Sequence, residues 1–235
     1  MKSDNRSYNQ RATEVNYTAA IMAKQIGDAI IEGIMKEEQF DDNILVWHYQ
    51  QLHMLNNFFE LLHEKTDTYP SCKKGCSGCC KYPILATEVE YHYISNWMRS
   101  NVTEDTMNRL HKNFDQWHEE MGSIIDSFEY GNKQKSIEYT RRNVKCPFLI
   151  DNSCSIYEAR PVACRTYFSY GNPRSCESEM YPKGTIDLEN AKHNIYDVSI
   201  ANRIKVVSRG DEEREDKMFR SAFAVLLLPL WFAKE

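Results

Sequence analysis

The chain has 235 residues and a net charge of −5, so it is long enough to bury a full hydrophobic core, and its acidic balance argues against a general nucleic-acid-binding protein. Its hydrophobic content of 42% and aromatic content of 12% are typical of a globular protein and exclude an intrinsically disordered chain. The N-terminal sequence lacks the apolar run of a secretory signal, and the most apolar stretch, residues 223–233, is short for a membrane span and contains Pro229. We therefore expect no membrane partner, a cytoplasmic location and a buried C-terminal helix, with a tail anchor as the less favoured alternative.

Apolar residues spaced by three and four predict two helices in the N-terminal part of the chain. The first covers about residues 18–38, and the second covers about residues 44–64, where Asp41–Asn43 supplies a start signal. Tyr69 and Pro70 then end the helical pattern ahead of the first cysteines.

Two further helices are predicted beyond the first cysteines. Thr87 and Glu90 have the spacing of a capping box, which predicts a helix that begins there and extends to about Arg99. The most regular apolar spacing in the sequence runs from Met107 to Phe128. We interpret this face as protein core or a contact between helices.

The remaining sequence is irregular at first and then helical again. Residues 144–183 show no sustained periodicity, although Pro161 suits the first turn of a short helix that extends to about Phe168. Two more helices are predicted at about residues 187–207 and 215–233. Clear strand patterns are absent.

These patterns predict a mainly α fold in which helices pack around an irregular, cysteine-rich metal-binding centre. We expect residues 1–235 to form a single domain with three parts. These are an N-terminal helical region (1–70), a cysteine-cluster core (71–183) and C-terminal helices (184–235).

The eight cysteines are all candidate metal ligands, and they form one tight group and one spread group. The tight group is Cys72, Cys76, Cys79 and Cys80, and the spread group is Cys146, Cys154, Cys164 and Cys176. A disulfide framework is disfavoured because the chain is large enough to have a core of its own and cytoplasmic thiols stay reduced. A bridge between the adjacent Cys79 and Cys80 would also be strained.

A metal centre explains the pattern better, and the residues alone leave zinc and an iron–sulfur cluster as alternatives. Cys76 and Cys79 form a C-x2-C turn with Gly78 inside it, which allows two thiolates to face one zinc ion. Closely spaced thiolates also suit an iron–sulfur cluster, and Cys146 is followed by proline, as in ferredoxin motifs. Either centre carries negative charge, which nearby cations would offset. The candidate cations are Lys73, Lys74, Lys81, Arg160 and Arg165.

Two other kinds of site fit the cysteines less well. The spacing from Cys72 to Cys79 also occurs in radical S-adenosylmethionine enzymes, but those have an aromatic residue where this chain has Gly78, and they have a β/α barrel that the sequence does not predict. A catalytic cysteine would need a base beside it. All seven histidines fall on predicted helices away from the cysteine loops, and we expect them to be surface or capping residues. They are His48, His53, His63, His92, His111, His118 and His193.

The segments CKKGCSGCCKYPILATEVE and CPFLIDNSCSIYEARPVACRTY together resemble the CxxCxxCC, or YkgJ-like, cysteine-cluster family, whose domain is described as zinc- or iron-chelating. The resemblance extends from Cys72 to about Tyr167 and implies that the seven cysteines within it belong to one chelating unit, while Cys176 lies beyond it. The first spacing in this chain is x3, whereas the family name has x2. The family is also similar to the cysteine-rich part of flagellin lysine N-methylases, for which an iron–sulfur cluster is described. This resemblance favours an iron–sulfur cluster, of the [4Fe–4S] type, over zinc.

Three functions are compatible with these observations. The leading hypothesis is a cytoplasmic metalloprotein that chelates iron, as an iron–sulfur cluster, or zinc through both groups of thiolates. The second is a metal-dependent enzyme that modifies a protein or a small molecule, for example by methyl transfer, although the sequence has no Gly-rich pattern for binding S-adenosylmethionine. The third is a structural zinc protein whose helical surfaces bind a protein partner. The sequence predicts no substrate, so enzymatic activity is left open.

Overall fold

A computed structural model describes residues 6–36, 43–180 and 182–232 of the chain. The helices are α1 (Tyr8–Lys36), α2 (Ile44–Thr66), α3 (Glu88–Asn101), α4 (Glu104–Ile125), α5 (Lys133–Arg141), α6 (Val162–Thr166), α7 (Pro173–Ser178), α8 (Glu189–Ala191), α9 (Val198–Ser208), α10 (Glu212–Phe223) and α11 (Leu228–Phe232). The strands are β1 (Leu85–Thr87), β2 (Leu149–Ile150), β3 (Ser153–Cys154), β4 (Tyr167–Ser169), β5 (Thr185–Asp187) and β6 (Val225–Leu227). A 3-10 turn (Tyr157–Ala159) precedes α6, and a π-helical segment (Lys192–Asp197) joins α8 to α9. The prediction of a mainly α fold is confirmed.

Small residues on one face of α1 allow it to pack closely against the C-terminal helices. Val15, Ala19 and Ala23 are completely buried on this face. Gly27 lies one turn further along, where a Cβ atom would be only 2.6 Å from the carbonyl oxygen of Asn194. Because a side chain there would collide with backbone, glycine permits the close approach between α1 and the π-helical segment.

The second helix supplies the large side chains of the same core. Trp47, Leu55, Phe58 and Leu62 are each at most 2% exposed. Their spacing follows the predicted helical face, and the side chain of Asn43 caps the helix by accepting the N–H of Leu45. The Asp41 and Asp42 part of the predicted start signal lies outside the described residues.

The predicted capping box at the start of α3 is confirmed. The Thr87 hydroxyl accepts the Glu90 N–H at 3.2 Å, and the Glu90 carboxylate accepts the Thr87 N–H at 2.8 Å. The second oxygen of the same carboxylate accepts the N–H of Val162, at the start of α6, at 2.7 Å. Burial raises the pKa of Glu90, and these N–H donors oppose the rise. One side chain therefore joins the helical framework to the segment that contains Cys164.

The regular apolar face of α4 is buried, as predicted, at Leu110, Trp117, Met121 and Ile124. The helix ends at Ile125, three residues before the pattern ends at Phe128, and it is followed by α5, which was not predicted from the sequence. The side chain of Asn132 caps α5 by accepting the N–H groups of Gln134 and Lys135. Contacts between α4 and α5 hold the two helices together.

Three two-stranded antiparallel ribbons correct the expectation that strands are absent. They pair β1 with β6, β2 with β3, and β4 with β5. The β4–β5 pair places Tyr167 opposite Asp187, so the helix expected from about residue 187 begins at Glu189, after a strand. Each ribbon has only two or three residues per strand, which explains why alternation is not visible in the sequence.

The apolar C-terminal stretch is not the single helix that we expected. The helix α10 ends at Phe223, and Val225–Leu227 then pairs with Leu85–Thr87 before the short α11 begins. Residues 233–235 lie outside the described residues. None of the helices that the structure describes combines the length and the apolarity needed to cross a bilayer.

Candidate metal centre

Six of the eight cysteines line one cavity of about 260 Å³ in the middle of the molecule. They are Cys76, Cys79, Cys80, Cys146, Cys154 and Cys164. Apolar side chains complete the lining, including Ile84, Phe148, Ile156 and Leu228. The two cysteine groups that are separate in the sequence therefore meet in space.

Successive turns bring the first group to the cavity. The N–H of Cys76 donates to the carbonyl of Lys73 at 2.9 Å, and the N–H of Cys80 donates to the carbonyl of Ser77 at 3.1 Å. Gly78, between these turns, lies directly against α7, because a Cβ atom there would be 2.6 Å from the Cβ of Cys176. The glycine is required for this close contact.

A backbone hydrogen bond joins the two groups. The N–H of Cys146 donates to the carbonyl of Cys80 at 2.7 Å. The β2–β3 hairpin then returns the chain so that Cys154 pairs with Leu149, and the turn that follows Pro161 positions Cys164. Leu149–Ile150 forms the first strand of this hairpin.

The other two cysteines lie outside the lining of the cavity, on either side of Ser169. The Ser169 N–H donates to the sulfur of Cys72 at 3.2 Å. The Ser169 side chain hydrogen-bonds Cys176, which is 5% exposed. All eight cysteines are free thiols in this structure.

Residues 71–183 match a family model, CxxCxxCC, that is described as "Putative zinc- or iron-chelating domain". We call the matched segment, residues 71–183, the CxxCxxCC domain. The match extends past Tyr167, where the resemblance of the two motifs ended, and it includes Cys176. No curated protein and no solved structure matches the chain.

Burial keeps most thiols of the CxxCxxCC domain protonated in the absence of a cation. Burial raises the pKa of Cys146 to about 12 and that of Cys164 well above the ordinary thiol value. The adjacent pair differs, because a hydrogen bond between the two thiols lowers the pKa of Cys79 to about 7 and raises that of Cys80. The Cys79 sulfur is therefore the site where a thiolate forms most easily, and a bound metal would supply the charge that deprotonates the others.

Two cations of the domain act on this thiolate. The charges of Arg160 and Lys145 both favour the ionised form of Cys79. The Arg160 guanidinium lies 3.8 Å from the ring centre of Tyr157, and the Lys145 ammonium donates to the carbonyl of Ser77 at 3.1 Å. Arg160 was a predicted counter-ion. Lys145 was not, although its place next to Cys146 in the sequence could have suggested it.

The other predicted counter-ions donate hydrogen bonds to backbone carbonyls or lie at the surface. Lys81 donates to the carbonyls of Glu177 and Glu179 at 2.9 and 3.3 Å, which holds α7 against the first cysteine loop. Arg165 donates to the carbonyls of Arg160 and Glu158. Lys73 and Lys74 are exposed, and Lys74 pairs with Glu158 at 3.5 Å.

The possible metal donors that line the cavity are six cysteine sulfurs and one carboxylate, that of Asp187. None of the seven histidines, all of which are described, lines it. Among the described residues, no three His, Cys, Asp or Glu side chains converge on one point closely enough to hold a metal ion, so binding would require some of the thiols to rotate toward a common centre. Sulfur donors suit zinc and iron–sulfur clusters, in agreement with the family description.

Proposed function

We propose that the CxxCxxCC domain holds an iron–sulfur cluster through cysteine thiolates in the cytoplasm. The observation that carries this proposal is the lining of a single cavity by six cysteines from both groups. The family description supports chelation of zinc or iron, and the choice of an iron–sulfur cluster is ours.

The size and the lining of the cavity support a cluster over one zinc ion. A cavity needs only about 10–15 Å³ to admit one water molecule, whereas this one has about 260 Å³. Ile84, Phe148 and Ile156 would exclude water from the sulfurs, and such exclusion helps to set the potential of a cluster. Arg160 and Lys145 would offset part of its negative charge.

The domain's own residues would have distinct parts in loading. Cys79 would lose its proton first, because its pKa is about 7. The more deeply buried Cys146 and Cys164 would lose theirs as metal enters, so loading should release protons and weaken as the pH falls. The cluster itself would supply electron transfer or a binding position for a substrate.

The first test is anaerobic purification followed by elemental analysis and visible spectroscopy. A brown protein with stoichiometric iron and acid-labile sulfide supports the proposal. A colourless protein that contains zinc and no iron contradicts it. The variant Cys80→Ser should lose the colour, while Lys73→Ser, an exposed change in the same loop, should retain it.

A second function, catalysis beside the metal, is favoured by a neighbouring cleft. This cleft has a volume of about 700 Å³ and shares Pro83, Ala163 and Asp187 with the cysteine cavity. Its other lining residues include both apolar groups, such as Phe223, and polar groups, such as Lys192. A small molecule could therefore bind within reach of the centre, as a metal-dependent enzyme requires.

This second function can be tested with the loaded protein and a methyl donor. If the enzyme transfers methyl groups, S-adenosylmethionine should change the electron paramagnetic resonance spectrum of the reduced protein. The change should disappear in Asn190→Trp, which fills the exposed side of the cleft. An unchanged spectrum at saturating S-adenosylmethionine would exclude methyl transfer of this kind.

A further inference from the structure

We propose that the eight cysteines form two metal centres, with Cys79 and Cys80 directing their side chains to different ones. Centre A consists of Cys72, Cys76, Cys79 and Cys176, and centre B consists of Cys80, Cys146, Cys154 and Cys164. Centre B holds the iron–sulfur cluster, and centre A holds one zinc ion. This division rests on the proposed thiolate coordination and extends it.

The position of Cys72 and Cys176 is the first reason for the division. Neither lines the cavity, yet both bond to Ser169, one through the backbone N–H and the other through the side chain. Ser169 lies on the opposite strand from Thr185, so it is fixed in the β4–β5 ribbon. Because Ser169 hydrogen-bonds both of these thiols outside the cavity, they indicate a second site where cysteine sulfurs lie close together.

Several ties hold these two thiols beside the C-x2-C turn. The backbone N–H and the hydroxyl of Ser71 both donate to the carbonyl of Ser169, at 2.7 and 2.9 Å, which fixes the start of the first loop. Gly78 contacts Cys176 closely, and Lys81 and Tyr82 donate to carbonyls at the end of α7 and just after it. The helix that contains Cys176 is therefore attached to the loop on both sides of Cys79.

The second group of four is held together by separate contacts. Cys146 bonds to the backbone of Cys80, and Cys154 is in the hairpin that begins just after Cys146. Cys164 lies in α6, the helix that follows the 3-10 turn, and lines the same cavity. All four line the cavity, where apolar walls leave space for a multi-atom cluster.

Cys79 lines the cavity as well, next to Cys80 in the sequence. We assign it to centre A because a C-x2-C turn directs its two sulfurs to one ion, and Cys76 is the other member of that turn. Centre A then has four sulfurs, as a structural zinc site requires.

The test compares four variants of the full chain, purified anaerobically. Cys72→Ser and Cys176→Ser should each lose about one equivalent of zinc and keep the visible absorbance of the cluster. Cys154→Ser and Cys164→Ser should each lose the visible absorbance of the cluster and keep the zinc ion. Parallel loss of zinc and iron in all four variants would mean one shared centre and would overturn the division. A wild-type chain without any metal would instead refute the proposed function itself.

A second measurement on the wild-type protein remains informative if a variant does not fold. A zinc chelator is added to the native protein, and the thiols are then alkylated and identified by mass spectrometry. We expect Cys72, Cys76, Cys79 and Cys176 to become modified while the other four stay protected. Equal modification of all eight cysteines, or modification confined to Cys80, Cys146, Cys154 and Cys164, would contradict the division.

Discussion

The helical framework and the cysteine core are stabilised in different ways. Around α1, α2 and α9, long elements bury apolar side chains such as Trp47 and Leu55 completely. Around the cysteines, strands of two or three residues and single turns are joined by individual hydrogen bonds, such as the one between Cys146 and Cys80. Hydrophobic burial therefore stabilises the first region, whereas the second contains buried thiols that need a bound cation in order to ionise.

The largest effect should come from the framework. Phe58→Ala removes a side chain that is 2% exposed, and we expect the free energy of unfolding to fall by about 3–5 kcal/mol because a cavity remains in the core. Urea unfolding measures this change. Leu61→Ala, in the same helix but 54% exposed, is the control and should change stability by less than about 0.5 kcal/mol.

A glycine in the core should give the next largest effect. Gly78→Ala places a Cβ atom 2.6 Å from that of Cys176, so we expect a loss of about 1–3 kcal/mol and a lower metal content. Chemical unfolding and elemental analysis measure the two changes. The matched variant is Gly122→Ala, in α4, where nothing lies within 4 Å of the added atom and a gain of about 0.5–1 kcal/mol is expected. Equal effects at the two glycines would refute the close contact.

The link between the two regions should have a smaller effect. Glu90→Gln replaces one of the two oxygens that accept backbone N–H groups from Thr87 and Val162, and we expect a cost of about 0.5–2 kcal/mol, as for loss of a helix cap. Thermal unfolding measures it. Glu88→Gln, at a half-exposed carboxylate two residues earlier, should be nearly neutral. A larger loss of stability in Glu88→Gln than in Glu90→Gln would contradict the role of Glu90 in joining α3 to α6.

The smallest effect concerns pH and the metal-free protein. Because burial raises the pKa of Cys146 from 9.0 to about 12, the folded state favours the neutral thiol. This contribution to stability is present below about pH 9 and is lost as the pH rises toward about 12, and about 1 kcal/mol of it is lost between pH 8 and pH 10. Denaturant unfolding of metal-free protein at pH 8 and pH 10 measures it. Metal-loaded protein should lack this loss, because its thiols are already deprotonated, and the same loss in both forms would contradict coordination by Cys146.

The sequence predicted the parts of the fold that depend on local signals. The start of α2 and the capping box of α3 are set by residues within one turn, so Asn43, Thr87 and Glu90 were identified correctly. The start of α1 was placed about ten residues too late, because the buried face near Ala12 consists of small residues among polar ones. The β1–β6 ribbon was missed, since it pairs Leu85 with Leu227, far away in the sequence.

For the candidate site, the sequence predicted the kind of donor but not the arrangement. The cysteine spacing indicated thiolate ligands, and Arg160 lies near them, as expected. The role of Lys145 depends on the contact between Cys146 and Cys80, which no local pattern encodes. The separation of Cys72 and Cys176 from the cavity depends in the same way on Ser169 in a strand that was not predicted.

Native mass spectrometry of anaerobically purified protein decides whether the thiols hold metal, because it weighs the folded chain together with any bound group. We expect a mass above that of the bare chain by one iron–sulfur cluster, and by a further zinc ion when both centres are filled. A folded chain at the bare mass, with all eight thiols open to alkylation, would contradict it.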